Sequence, residues 1–223
     1  MYRKNWPRVG GLLGMVIGGA TALAARGRVN DLRALSAVNW IALLVHQYEE
    51  YEDPGYFPGQ FNAGMFKSKQ PRNWPLNTHT AMCINTAVAY PVYALPVVFP
   101  KIKWLGLGPV LFGMSQSVGH GIVIPALSRS KYSPGFFASI FLHVPIGLAY
   151  LTALKKQGPI VRGDWTKGIV YAVAFAALGV VVPNLIGNDK HSPHAFTEKQ
   201  MGPFDNPAAL NLDDADADAV VTD

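Results

Sequence analysis

Charge is scarce in this chain. Only 15% of its 223 residues are Asp, Glu, Lys or Arg, against the roughly 25% usual in soluble globular proteins. Those charges gather at the ends and in short connecting segments, which excludes an ordinary soluble domain. Cysteine is scarcer still: Cys83 stands alone inside an apolar run, so a disulfide scaffold is excluded as well. Alternating polar and apolar residues, the mark of a membrane β-barrel, are also missing. The net charge of +5 is spread over every connection instead of forming a stripe. That distribution suits lipid headgroups and not nucleic acid.

What the chain does have is a succession of apolar runs of about 18–22 residues, the length a helix needs to cross a hydrocarbon core. Six helices are predicted, over residues 9–25, 34–51, 80–99, 104–127, 135–154 and 168–187. The expected fold class is all-α: a multi-pass integral-membrane helix bundle spanning residues 1–187. Residues 188–223, ending in Asp213, Asp214, Asp216, Asp218 and Asp223, read as a disordered, solvated acidic tail. With six helices the Lys and Arg residues divide almost evenly between the two faces, so the positive-inside rule assigns no orientation.

Two segments carry further signals. In the first run Gly10, Gly14, Gly18 and Ala22 form a small-residue row that lets membrane helices pack closely, here with a second copy of the chain or with an accessory partner. Ala22-Leu23-Ala24 also resembles a signal-peptide cleavage site, although the run is longer than a usual signal core. The connection over residues 52–78 is long and rich in Gly, Pro and aromatic residues. It reads either as an interfacial aromatic belt or as a functional lid.

The polar residues inside the spans are the most informative. Of the six histidines, His191 and His194 fall in the polar tail, while His46, His79, His120 and His143 lie within spans or at their ends. Ionisable groups at such depth are costly and mark functional sites by default. His46 opens the run His46-Gln47-Tyr48-Glu49-Glu50. On a helix, Glu49 and Glu50 lie about 60° to one side and 40° to the other of His46, so one face projects an imidazole and two carboxylates.

Threading the chain through six spans brings all four histidines to one half of the bilayer. The second helix ends beside the glutamates, the third starts at His79, the fourth returns past His120, and the fifth leaves past His143. The last two lie roughly 10–12 Å below that surface. Two adjacent carboxylates repel unless a proton or a cation lies between them. The candidate metal ligands are therefore His46, Glu49, Glu50, His120 and His143. Glu49, Glu50 and His79 are the candidate catalytic acids, bases or proton carriers.

These residues resemble the signature of a family of small integral-membrane proteins of unknown function, named for an H-x-x-E-E motif. The motif here is His46-Gln47-Tyr48-Glu49-Glu50, and Tyr132-Ser133-Pro134-Gly135 is similar to a Tyr-x-Pro-Gly step in that family. The resemblance covers roughly residues 35–155 and implies a membrane-embedded, metal-binding or catalytic protein without bringing a reaction. The zincin motif H-E-x-x-H is absent, as are the histidine boxes of membrane desaturases. Two enzymatic readings follow. One zinc-like ion with a spare glutamate as base suits hydrolysis; a di-iron or di-manganese pair held by all six groups suits oxidoreductase chemistry. The substrate in either case is a lipid-like or membrane-soluble small molecule. A proton or metal transporter, or an accessory membrane subunit that stabilises a larger complex, is the alternative from another class.

Overall fold

The computed structural model describes residues 2–28 and 30–206. The described residues form helices and no strands, a polytopic membrane helix bundle. Five helices are long and apolar enough to cross a membrane: α1 (Tyr2–Ala25), α4 (Thr78–Val98), α5 (Lys103–Ser128), α6 (Phe136–Lys156) and α7 (Arg162–Ile186). A sixth, α2 (Leu32–Tyr51), has the length but is too polar to count among them. It is the axis of the bundle, packed against α1, α4, α5 and α6. Its polar residues Asn39, His46, Gln47, Glu49 and Glu50 are therefore buried in protein and not in lipid. Asp31 caps its start by accepting the N–H groups of Arg33 and Ala34, and Asn77 caps α4 in the same way through His79 and Thr80.

The glycine row of α1 is taken up within the chain. A side chain at Gly10 would meet Leu44 and the Tyr90 hydroxyl, one at Gly14 would meet Leu44, and one at Gly18 would meet Ile41. The row lets α1 lie close on α2. The helix also starts earlier than residue 9, so that Trp6 packs edge-on against Tyr51 at 5.0 Å.

The four helices α4 to α7 share one irregularity. Each contains a π-helical stretch, Cys83–Ala89, Gly119–Val123, Ser139–His143 and Phe175–Val181. In each, a proline stands at the second residue beyond the stretch: Pro91, Pro125, Pro145 and Pro183. Proline lacks an N–H and its ring crowds the carbonyl one turn back, and widening that turn accommodates both defects. Pro96 and Pro109, within two turns of a helix end, leave the α-helix intact.

The segment between α2 and α4 is neither a belt nor a bare loop. Residues 57–65 form a short helix, α3, laid over the end of the bundle. Residues 188–206, expected to be disordered, pack onto it. Phe196, Met201 and Phe204 are buried there, Met201 completely. They join Trp6, Tyr51 and Leu76 in one apolar cluster, with Phe204 meeting Ala63 in another. Backbone bonds run from Thr78 N–H to the His194 carbonyl (2.9 Å) and from Phe196 N–H to the Arg72 carbonyl (2.7 Å). Arg72 grips Asp205 through two bonds of 2.8 and 2.6 Å and holds its carboxyl below the usual range. The short helix α8 (Glu198–Met201) comes so close to α3 that the Met201 backbone fills the space a side chain at Gly59 would need. The acidic composition that signalled disorder belongs to the far end of the tail. Its aspartates, Asp213 onward, lie outside the described residues.

This strap depends on its apolar anchors. Met201→Ala removes a fully buried side chain and is expected to cost about 2–5 kcal/mol. Trypsin should then cut after Lys69 and Arg72 faster than in the wild-type protein. An unchanged digestion rate would mean that the strap does not hold the 52–77 segment.

Candidate metal centre

Adjacent residues on a helix diverge by about 100°, and α2 uses this to separate its two carboxylates. Glu50 lies one turn beyond His46, on the same face. Its Oε1 is 3.5 Å from His46 Nε2 and 3.4 Å from His120 Nε2. These three residues are buried, and one ligand atom from each lies within 4.8 Å of the others. The two imidazole rings stand edge to face with centroids 4.8 Å apart.

The outer nitrogen of each imidazole is held by a serine. Ser139 Oγ donates to the Gly135 carbonyl at 2.6 Å and lies 3.3 Å from His46 Nδ1, so it accepts the Nδ1 proton. Ser133 Oγ contacts His120 Nδ1 at 2.9 Å and faces the Pro134 carbonyl at 3.5 Å. With Ser139 Oγ committed as a donor to Gly135, the geometry favours a proton on His46 Nδ1, and Nε2 of both rings faces Glu50. Such outer partners fix tautomer and orientation in metal-ligating histidines.

Gly135 makes the arrangement sterically feasible. Its φ of +104° is a conformation that L side chains rarely adopt, and a Cβ there would stand 2.8 Å from His120 and 2.9 Å from His46. The Tyr-Ser-Pro-Gly step thus supplies the glycine that lets two rings meet and the serine that orients one of them. The widened turns serve the site as well, since His120 lies in that of α5 and His143 closes that of α6.

His143 is one step removed from the triad. Its ring lies 5.6 Å from that of His46, in room that Gly113 leaves by having no side chain. Its Nδ1 is 3.3 Å from Asn39 Oδ1, an acceptor, while its Nε2 is buried without a partner. Asn39 sits two turns before His46 on the same face of α2, a spacing that could have flagged it.

Glu49 is placed differently from the expectation. Its carboxylate accepts the N–H groups of Phe137 (3.1 Å) and Ala138 (2.8 Å) and the hydroxyl of Tyr132. It caps the N-terminus of α6, where the helix dipole and free N–H groups favour an anion. Burial, and then the bond to Glu49, pushes the Tyr132 phenol above its ordinary value, so it remains a donor. His79 also lies apart. It is exposed, its ring is 5.4 Å from that of His194, and its Nε2 is 3.7 Å from Cys83 Sγ.

The triad opens onto a cavity of about 160 Å³. Its walls are mainly apolar, among them Leu43, Ile84, Phe112 and Phe175, and Phe57, Phe61 and Leu76 roof it. The Phe57 ring is 5.5 Å from His120, so the aromatic segment is a cover over the histidines. Two basic residues of the covering segment are engaged within the chain: Arg72 with Asp205, and Lys67, which donates to the Gly64 carbonyl.

Two variants separate latch from site. Glu49→Gln removes the charge facing α6 and is expected to lower stability by about 1–3 kcal/mol in detergent-phase unfolding. Gly135→Ala carries about 1–2 kcal/mol of backbone strain and drives a methyl group between the rings. It should lower stability and force His46 and His120 apart. Wild-type stability in both variants would contradict this assignment.

A sequence model of a family described as a protein of unknown function with HXXEE motif matches residues 37–150. No curated protein and no solved structure matches the chain.

Proposed function

The chain belongs to the family of proteins of unknown function with an HXXEE motif, and from that premise we propose that the motif, with His120, holds one divalent cation in a membrane-embedded hydrolase. One observation carries the reading. His46 Nε2 and His120 Nε2 converge on Glu50 Oε1 at 3.5 and 3.4 Å, with the outer nitrogen of each ring beside a serine hydroxyl. Three electron-rich atoms so arranged repel one another in a buried site. A proton on one imidazole relieves only one of the contacts, whereas a cation satisfies all three.

Two histidines and a glutamate are a ligand set that zinc hydrolases use with an open fourth position. When bound, such an ion supplies a Lewis acid and lowers the pKa of water at that position. The chain's own residues supply the rest. Ser133 and Ser139 keep the imidazoles aimed, and the apolar walls exclude bulk water. His143, with Nδ1 on Asn39 and Nε2 free, replaces the spare glutamate as general base. It takes the proton of the attacking water and returns it to the leaving oxygen or nitrogen of an ester or amide. Glu49, bound by three donors, is left with a structural role. The substrate is a small membrane-soluble molecule, and the whole is an integral, multi-pass membrane enzyme.

The same ligand set favours a second reading. Two histidines and one carboxylate with open positions also hold mononuclear non-haem iron, which would make the chain an oxidoreductase. The dinuclear alternative loses ground because Glu49 and His79 are engaged elsewhere. A transport reading draws on Asn39 and Ser36, which continue a buried polar line along α2. Neither carries a titratable proton, and Ser36 Oγ donates to the Leu32 carbonyl.

Elemental analysis of detergent-purified protein never exposed to chelator tests the proposal. About one zinc per chain is expected, lost in Glu50→Gln and in the His46→Ala/His120→Ala double variant but retained in Glu49→Gln. Iron in the same stoichiometry would move the assignment to oxygen chemistry. No stoichiometric metal would overturn the cation site.

A further inference from the structure

The cavity holds more polarity than a cation site needs, and that surplus has a consistent character. Gln47, on α2, directs its Nε2 to Asn85 Oδ1 (3.0 Å) and to the Asn85 carbonyl (3.3 Å). Two acceptors thus fix the amide, and its Oε1 is left buried without a partner. Asn184, on α7, gives its Nδ2 to the Val180 carbonyl at 3.1 Å, and its Oδ1 is likewise buried and unpaired. His143 Nε2, on α6, is a third such acceptor. The Tyr93 hydroxyl, on α4, is buried and unpaired too. All four residues line the same cavity.

Buried polar atoms are almost always paired, and those left over ask for a missing partner. Here four helices contribute them to one space, and three of the four atoms only accept. Among the described residues no Lys or Arg lines the cavity. The complement of such a lining is a group that donates hydrogen bonds and carries no negative charge. The space is comparable to an engineered cavity of about 150 Å³ that holds benzene, so the part of a ligand lodged inside is a ring or short chain of roughly that size.

We infer that the cavity binds a small, uncharged, apolar molecule bearing a hydroxyl or amide N–H, oriented by the unpaired acceptors of Gln47 and Asn184. This names the substrate class for the site described above and rests on that reading of the cavity, but not on the cation. Anionic amphiphiles, including fatty carboxylates and phosphate esters, are disfavoured by the same lining when no cation is bound. A site that pairs a buried acceptor with a ligand donor also rejects the analogue lacking it, because the acceptor is then left dry and unmatched.

The test uses the full chain in lipid nanodiscs, empty nanodiscs as the blank, and fluorine NMR of three matched probes. These are 4-fluorobenzyl alcohol, its methyl ether and 4-fluorobenzoate. In the chelated protein the alcohol is expected to bind about 10-fold more tightly than the ether, the cost of one buried unmatched acceptor, with no saturable binding of the benzoate. Gln47→Leu or Asn184→Leu should reduce that preference, each variant being checked for wild-type thermal stability. Equal affinities for alcohol and ether, tight binding of the benzoate, or a preference untouched in both variants would overturn the inference.

Repeating the titrations after zinc loading separates the two claims. A preference that persists in both forms supports the acceptor lining, even for a chain found to hold no metal. A preference present only with zinc would assign the alcohol to the ion and overturn the role of the acceptors.

Discussion

Glu49 accepts the first free N–H groups of α6, and that contact sets the registration of two helices on which the whole site depends. Once α6 is pinned to α2 at this point, Gly135 falls between the two rings, Ser139 falls beside His46, and His143 falls over Asn39. The neighbouring carboxylate, rotated by one residue, is released for the opposite task of facing the imidazoles. One helix therefore carries two adjacent, chemically identical groups with different duties. What distinguishes them is the angular step of the α-helix.

The prolines form a second layer of control. A buried helix with a regular ladder would present its side chains at fixed angular intervals. The four widened turns break that interval at nearly the same place in α4 to α7, and two of them contain a site histidine. Local irregularity of this kind is tolerated in a membrane bundle because neighbouring helices shield the freed backbone groups. The irregularity is thus part of how the histidines reach one another.

Much of this was legible beforehand. Apolar run length gave the helices, and threading alone brought His46, His120 and Glu50 to one end of the bundle. The sequence could not say which of two adjacent glutamates turns inward, because that depends on where α6 docks. His79 lies outside the triad for a related reason: proximity in depth is not proximity in plane, and its ring faces the returning chain near His194. The strap was missed because composition was averaged over the tail, where the far aspartates outweigh Phe196, Met201 and Phe204. Ser133, Ser139 and Asn39 were visible only as unremarkable polar residues. Ser139 stands four residues before His143 and Asn39 seven before His46, and those helical spacings were the available signal; Ser133 offered none.

Phe57 and Phe61 come from the first third of the chain, but what presses them down comes from residues 194–204, after every membrane helix. The roof therefore closes through a long-range contact, in which residues 57–61 depend on side chains more than 130 residues further along the chain to hold them over the histidines.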